Sequence, residues 1–102
     1  MILASCREDK RHLMARVAGE LDHHGAKSVM EELDRRIDAA QPSQLTLDLS
    51  GLTFTDSSGI AVLLRAHRRM GQVRGSMRVV NTPDQAGRVF RAAGLERIIR
   101  FE

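Results

Sequence analysis

The chain is poor in the residues that build several common kinds of protein. It has 102 residues, of which only 3% are aromatic: three phenylalanines, with no tryptophan and no tyrosine. Proteins that bind single-stranded nucleic acid commonly stack its bases on aromatic side chains, so this composition offers little material for such a platform. The one cysteine, Cys6, cannot form an internal disulfide, which is typical of a protein of the reducing cytoplasm.

The sequence also lacks the segments that would direct it to a membrane or divide it into parts. No apolar run approaches the length needed to span a bilayer, and no signal-peptide pattern opens the chain. No repeat recurs, and no linker rich in proline, glycine and serine separates one part from another. We therefore expect one domain over residues 1–102, located in the cytoplasm and not in contact with a membrane.

The charge balance is only mildly basic. Lysine and arginine number 16 against 13 aspartates and glutamates, which gives a net charge of +3. A basic cluster, Arg65, Arg68 and Arg69, lies late in a helical segment, where positive charge suits the helix dipole. We interpret this cluster as solvated helix surface rather than as a phosphate-binding patch, and we predict no direct contact with nucleic acid.

Hydrophobic periodicity predicts an α/β domain with a mixed sheet and helices packed on one face. Strands are predicted over residues 2–6, 13–19, 45–49, 77–80 and 98–101, and helices over 26–40, 60–70 and 83–93. Strict alternation over residues 45–49 implies that helices cover one face of the sheet, with Thr46 and Asp48 on the other. The polar residues 20–25 are predicted to form a loop, and Thr82 to cap the third helix.

The motifs that define common enzyme sites are absent. The sequence holds no G-x-x-x-x-G-K-[ST], no G-x-G-x-x-G after a strand and no H-E-x-x-H. Ser57 and Ser58 do not lie in the G-x-S-x-G turn that presents a hydrolase nucleophile. Asp22, His23 and His24 fit a polar loop or helix start better than a metal site, because adjacent histidines seldom converge on one ion. We expect no enzymatic activity, no cofactor and no metal.

Residues 56–59, Asp-Ser-Ser-Gly, are the one local feature with a specific physical use. Their two hydroxyls come at the start of a predicted helix, where backbone N–H groups have no intrahelical partner. One interpretation is that a serine caps the helix. The other is a phosphoacceptor at a loop tip, where a phosphate would add roughly two negative charges beside the helix N-terminus. Both hold if one serine caps the helix and the other is presented.

Three segments of the chain match one known pattern in content and in spacing. They are residues 17–24, Val-Ala-Gly-Glu-Leu-Asp-His-His; residues 47–59, which end in Asp-Ser-Ser-Gly; and residues 93–102, which end in Ile-Ile-Arg-Phe-Glu. In these segments the chain resembles the STAS domain family. Within that family it is most similar to the bacterial anti-sigma factor antagonists of the sporulation branch, which act on the anti-sigma F factor.

The resemblance implies a function in partner switching. The unphosphorylated antagonist would bind an anti-sigma factor that is also a serine kinase, and would thereby release a sigma factor. The kinase would phosphorylate Ser57, the antagonist would dissociate, and a separate serine phosphatase would reset it. The partner-binding residues implied by the resemblance are Asp22, His23, Asp56, Ser58 and Gly59.

Two departures from the family pattern are expected to matter. Family members commonly continue into a further C-terminal helix, whereas this chain stops at Glu102, and an uncovered apolar face there would favour dimerisation. Gly25 stands where the family often has a side chain, which we expect to loosen the helix start.

An alternative function keeps the same fold but makes the chain a scaffold or ligand-binding module of a stress-signalling assembly.

Overall fold

The computed structural model describes the backbone of residues 2–102 and the side chains from Arg7 onward. Its elements are β1 (Ile2–Asp9), β2 (His12–Leu21), α1 (His23–Ala40), β3 (Gln44–Thr55), α2 (Ser57–Gln72), β4 (Ser76–Val80), α3 (Asp84–Ala92), a 3-10 turn (Leu95–Arg97) and β5 (Arg100–Phe101). The radius of gyration, 12.2 Å, is that of one domain of this length. Within the described range, no helix combines the length and the apolar composition needed to cross a bilayer.

The strands form one mixed sheet in which spatial order follows chain order, β1-β2-β3-β4-β5. β1 and β2 form an antiparallel hairpin, and β1 reaches Asp9 instead of ending at residue 6. The two turn residues, Lys10 and Arg11, have φ angles of 50° and 66°, a geometry that matches the twist of the flanking strands. The other pairs are parallel, so the carboxyl ends of their strands point to one edge of the sheet.

One face of the sheet carries the hydrophobic core. Along β2 the buried residues Leu13, Ala15 and Val17 alternate with more exposed neighbours, as predicted. The helices bury residues three or four positions apart, which places one face of each helix against the sheet. In α1 these are Ala26, Val29, Leu33 and Ile37, and they join the strand residues in a single cluster. The predicted mixed sheet with helices on one face is confirmed.

The opposite face of the sheet is polar. Residues in register across the five strands form a row on it: Arg7, Met14, Thr46, Arg78 and Arg100. Thr46 lies on this face, as predicted, but is only 1% exposed. Its hydroxyl accepts a hydrogen bond from Arg78 Nε at 3.0 Å and lies 2.7 Å from His12 Nε2, so these two side chains cover it.

β2 and α1 are joined more tightly than the sequence predicted. The predicted loop over residues 20–25 is wrong, because β2 continues to Leu21 and α1 begins at His23. The carboxylate of Asp22 accepts a hydrogen bond from Gly25 N–H at 3.0 Å and caps the helix, so one residue is enough to connect strand and helix. Gly25, expected to loosen the helix start, lies inside the first turn and donates its N–H to this cap.

β3 and α2 are also longer than predicted. β3 continues to Thr55 instead of ending at residue 49, and α2 begins at Ser57 instead of residue 60. Arg16 of β2 pairs with Asp48 of β3, and Glu20 pairs with Phe54. An advance of four residues along β2 therefore matches an advance of six residues along β3. β3 therefore contains bulges that interrupt the period of two, and the alternation that predicts a strand ends where they begin.

The C-terminal elements begin later than predicted. Pro83 occupies the N-cap position of α3 without a side-chain hydrogen bond, so the prediction that Thr82 caps this helix is wrong. The final strand contains only Arg100 and Phe101, and does not begin at residue 98. Gly94, with a φ angle of 75°, ends the helical segment and leads into the 3-10 turn, and Ile98 and Ile99, predicted to begin the strand, connect that turn to it.

Candidate functional site

The carboxyl edge of the parallel strands brings together most of the residues that the sequence singled out. Leu21 of β2 pairs with Thr55 of β3, and an aspartate directly follows each of them. The backbone N–H of Asp56 donates to the carbonyl of Leu21 at 3.3 Å, which joins the two connections. We call this surface the capped edge and define it by Asp22, His23, Asp56, Ser57 and Ser58.

Asp56 caps α2. Its carboxylate accepts a hydrogen bond from the backbone N–H of Ser58 at 2.7 Å. The prediction that a serine caps this helix is therefore wrong, because the residue before the first serine fills that position. An aspartate there also brings negative charge to the positive end of the helix dipole.

Ser57 is the first residue of α2, and its side chain is exposed. Since Asp56 provides the cap, the hydroxyl of Ser57 is not required to hold the helix start. Neither Ser57 nor Ser58 makes a side-chain hydrogen bond with another described residue, and Ser58 is half-buried. Of the two hydroxyls, that of Ser57 therefore lies on the more exposed residue.

Asp22 adds a second carboxylate to the capped edge. The hydrogen bond from Gly25 N–H lowers the pKa of this carboxyl below its ordinary value, burial opposes that effect, and His24 lowers the pKa further. His23 and His24 are exposed, with ring centroids 6.0 Å apart in an edge-to-face arrangement. Among the described residues, no three histidine, cysteine or acidic side chains gather in a group that would hold a metal ion.

Acid is expected to remove the Asp22 cap. Because the pKa of Asp22 is lower in the folded chain than in the unfolded one, its carboxylate stabilises the fold fully above about pH 3.9. This stabilisation is lost as the pH falls through the folded pKa. We expect an NMR titration of the Asp22 carboxyl carbon to have its midpoint below about 3.9. A midpoint at or above that value would contradict the cap.

Alanine in place of Asp56 is expected to lower the free energy of unfolding by about 1 kcal/mol, because the N–H of Ser58 loses its acceptor. Ser58→Ala is the matched control and should change it by less than about 0.5 kcal/mol, since that hydroxyl does not cap the helix. Urea denaturation measures both variants. A larger loss for Ser58→Ala than for Asp56→Ala would show that the serine is the cap after all.

Gly59 lies beneath the capped edge and is buried. A Cβ atom added to it would be 2.0 Å from Thr55 Oγ1 and 3.2 Å from Leu21 Cδ2. Glycine therefore allows α2 to begin in direct contact with the end of β3. Gly59, which the resemblance places among the partner-binding residues, also sets the position of the helix that carries Ser57.

Two residues near this edge were not singled out from the sequence. Phe54, which pairs with Glu20 two residues before Asp56, is 43% exposed and adds apolar surface. Gln85 of α3 makes hydrogen bonds to the backbone of Thr55. In the sequence, a phenylalanine two residues before the Asp-Ser-Ser-Gly motif was a signal that this surface includes an aromatic side chain. No sequence pattern pointed to Gln85, because its partner Thr55 lies 30 residues away in the sequence.

Comparison with known proteins places the chain in a family. The STAS domain model matches residues 4–102. The chain is 34% identical over 87 residues to the anti-sigma F factor antagonist of Paenibacillus polymyxa, a match that spans 85% of this chain and 74% of that protein. It is 29% identical over 94 residues to the anti-sigma-B factor antagonist of Listeria monocytogenes, spanning 92% of this chain and 82% of that protein.

A solved structure shows the same fold. The anti-sigma factor antagonist SpoIIAA in its unphosphorylated form superposes on the chain with a TM-score of 0.82 at 24% sequence identity. The superposition covers 96% of this chain and 86% of that one. With the family model matching nearly the whole sequence, the chain belongs to the STAS domain family.

Proposed function

We propose that the chain is a cytoplasmic anti-sigma factor antagonist that works by partner switching. Its unphosphorylated form binds an anti-sigma factor with serine kinase activity and so releases a sigma factor. Phosphorylation of Ser57 by that kinase ends the complex, and a serine phosphatase restores the binding form. The observation that carries this proposal is the exposed hydroxyl of Ser57 at the start of α2, which Asp56 leaves free of capping.

In this proposal the chain is the substrate of the kinase and does no catalysis itself. The Ser57 oxygen forms a bond to the γ-phosphorus of ATP, ADP leaves, and a base of the kinase takes the hydroxyl proton. The carboxylate nearest in sequence, that of Asp56, is engaged by the N–H of Ser58. What this chain must supply is a hydroxyl held at a fixed and accessible position.

Phosphate on Ser57 changes the charge of the capped edge more than its shape. Asp22 and Asp56 already place two carboxylates there, and the phosphate adds roughly two further negative charges. In a complex these charges would be desolvated beside one another, at a cost of several kcal/mol. In the free chain the phosphate lies at the N-terminus of α2, where the helix dipole favours it. Phosphorylation is therefore expected to dissociate the complex without unfolding the chain.

Mass spectrometry after incubation with ATP and the anti-sigma F factor of Paenibacillus polymyxa tests the proposal. We expect one added phosphate on the peptide that contains Ser57, none on Ser57→Ala, and normal addition on Ser58→Ala. The Paenibacillus antagonist serves as the positive control for the kinase. If the kinase modifies that control but not this chain, the switch is rejected, and the alternative of a STAS scaffold or ligand-binding module is favoured.

We also propose that the chain belongs to the sporulation branch rather than the general stress branch. The anti-sigma F factor antagonist matches it at 34% identity and the anti-sigma-B factor antagonist at 29%. Binding of the chain to the anti-sigma F factor of Paenibacillus polymyxa and to the anti-sigma-B factor of Listeria monocytogenes can be compared side by side. Tighter binding to the second would assign the chain to the stress branch.

A further inference from the structure

The last residue of β3 is paired on its free side by a side chain instead of a strand. β4 pairs with β3 only over residues 44–48 of β3, whereas β3 continues to Thr55. The side-chain amide of Gln85 accepts a hydrogen bond from Thr55 N–H at 3.0 Å and donates one to the Thr55 carbonyl at 2.8 Å. Gln85 thus satisfies both backbone groups that a neighbouring strand would otherwise pair.

The remaining contacts of Thr55 are equally well defined. Its side chain is fully buried, and its hydroxyl lies 3.3 Å from the carbonyl of Leu21 and 3.0 Å from that of Asp56. Thr55 directly precedes the capping residue Asp56, and Ser57 follows. The position of the Thr55 backbone therefore sets where α2 begins, and Gln85 ties that backbone to α3.

We infer that Gln85 is a positioning residue for the phosphorylation of Ser57, an inference that rests on the proposed function. Gln85 bonds neither to the Ser57 hydroxyl nor to the Asp56 cap; it acts through the backbone of Thr55. Phosphoryl transfer requires the accepting oxygen within about 3–3.5 Å of the phosphorus, and a displacement of about 1 Å costs up to 100-fold in rate. The two hydrogen bonds from Gln85 restrict such a displacement.

Gln85→Met keeps the length of the side chain and removes both hydrogen bonds. With the anti-sigma F factor of Paenibacillus polymyxa as kinase, we expect kcat for Ser57 phosphorylation to fall about tenfold, and KM for the chain to change less than about twofold. Gln85→Glu keeps an oxygen for the Thr55 N–H but turns a carboxylate oxygen toward the Thr55 carbonyl in place of the donor, so its kcat should also fall. It is also the second variant if Gln85→Met does not fold.

Two controls separate positioning from general loss of stability. Gln72→Met makes the same chemical change at the exposed end of α2, and Ile37→Val weakens the core far from the capped edge. Both should keep the wild-type kcat. A wild-type kcat in Gln85→Met, or a decrease no larger than that in Ile37→Val, overturns the inference.

Hydrogen exchange of the unbound proteins distinguishes this inference from the proposed function. Removal of the Gln85 bonds should speed amide exchange at Thr55 and Asp56 by about tenfold relative to Gln72→Met. Unchanged exchange would refute the anchoring of Thr55 by Gln85, whatever the kinase does. Failure of the proposed function shows instead as an absence of phosphate on the wild-type chain, and in that case the exchange rates still decide whether Gln85 holds Thr55.

Discussion

Aspartate in place of Ser57 is expected to weaken binding to the anti-sigma F factor of Paenibacillus polymyxa by about 100- to 1,000-fold. The new carboxylate would be the third at an edge that already holds Asp22 and Asp56. A charge desolvated in an interface without a partner costs about 2–5 kcal/mol, and each 1.4 kcal/mol is a factor of ten in affinity. Titration calorimetry with the ATP-free kinase measures the change directly.

The stability of the Ser57→Asp variant is expected to move in the opposite direction. An acidic residue in the first turn of a helix stabilises it by about 0.3–1 kcal/mol, and residue 57 is the first residue of α2. Ser57→Asn is the matched control, because it has nearly the same size without the charge, and its binding should stay within about fivefold of wild type. If both variants bind equally weakly, size and not charge is the cause.

Ser57→Ala should bind normally and remain bound in the presence of ATP, because it has no hydroxyl for the kinase to phosphorylate.

Alanine at residue 59 is expected to lower the free energy of unfolding by about 3 kcal/mol, because overpacking and a lost buried hydrogen bond add together. The added methyl would lie 2.0 Å from Thr55 Oγ1, and moving that hydroxyl breaks its contacts with the carbonyls of Leu21 and Asp56. The melting temperature should fall by about 12–20 °C. Differential scanning calorimetry measures both quantities.

Gly71 offers a matched control on the same helix. Apart from its chain neighbours and the backbone of its own helix, a Cβ atom added there would meet no atom within 4 Å. Gly71→Ala is therefore expected to stabilise the chain by up to about 1 kcal/mol, since alanine loses less conformational freedom than glycine in a helix. Comparable destabilisation by both substitutions would contradict the argument that the contact with Thr55 sets the requirement for Gly59.

The sequence was sufficient to predict those elements whose buried face repeats regularly. Ala26, Val29, Leu33 and Ile37 recur at helical spacing, and the structure buries all four of them in α1. The ends of the helices and strands were less predictable, because they depend on individual contacts and not on the regular spacing of hydrophobic residues. The bulges of β3 and the aspartate caps are such contacts, and together they account for the shifted boundaries around residues 20–25 and 49–57.

The candidate site was recognisable as a motif but not in its internal roles. Aspartate and serine are both good N-cap residues, and because α2 begins at Ser57, earlier than predicted, the cap is Asp56 and not a serine. This matters because the Ser57 hydroxyl is then not needed to cap the helix. The link from Gln85 to Thr55 was beyond sequence reasoning, since it joins a helix to the end of a distant strand and belongs to no periodic pattern.

The order of the strands bears on how the chain folds as it is synthesised. Each strand lies beside the one made before it, so no strand has to be inserted between two that are already paired. This order allows the β1–β2 hairpin to form from local contacts and each later strand to add to one growing edge. Thr55 gains its last two backbone bonds only when Gln85 has emerged. The topology thus permits the first four strands to pair before the backbone next to Ser57 is fixed by Gln85.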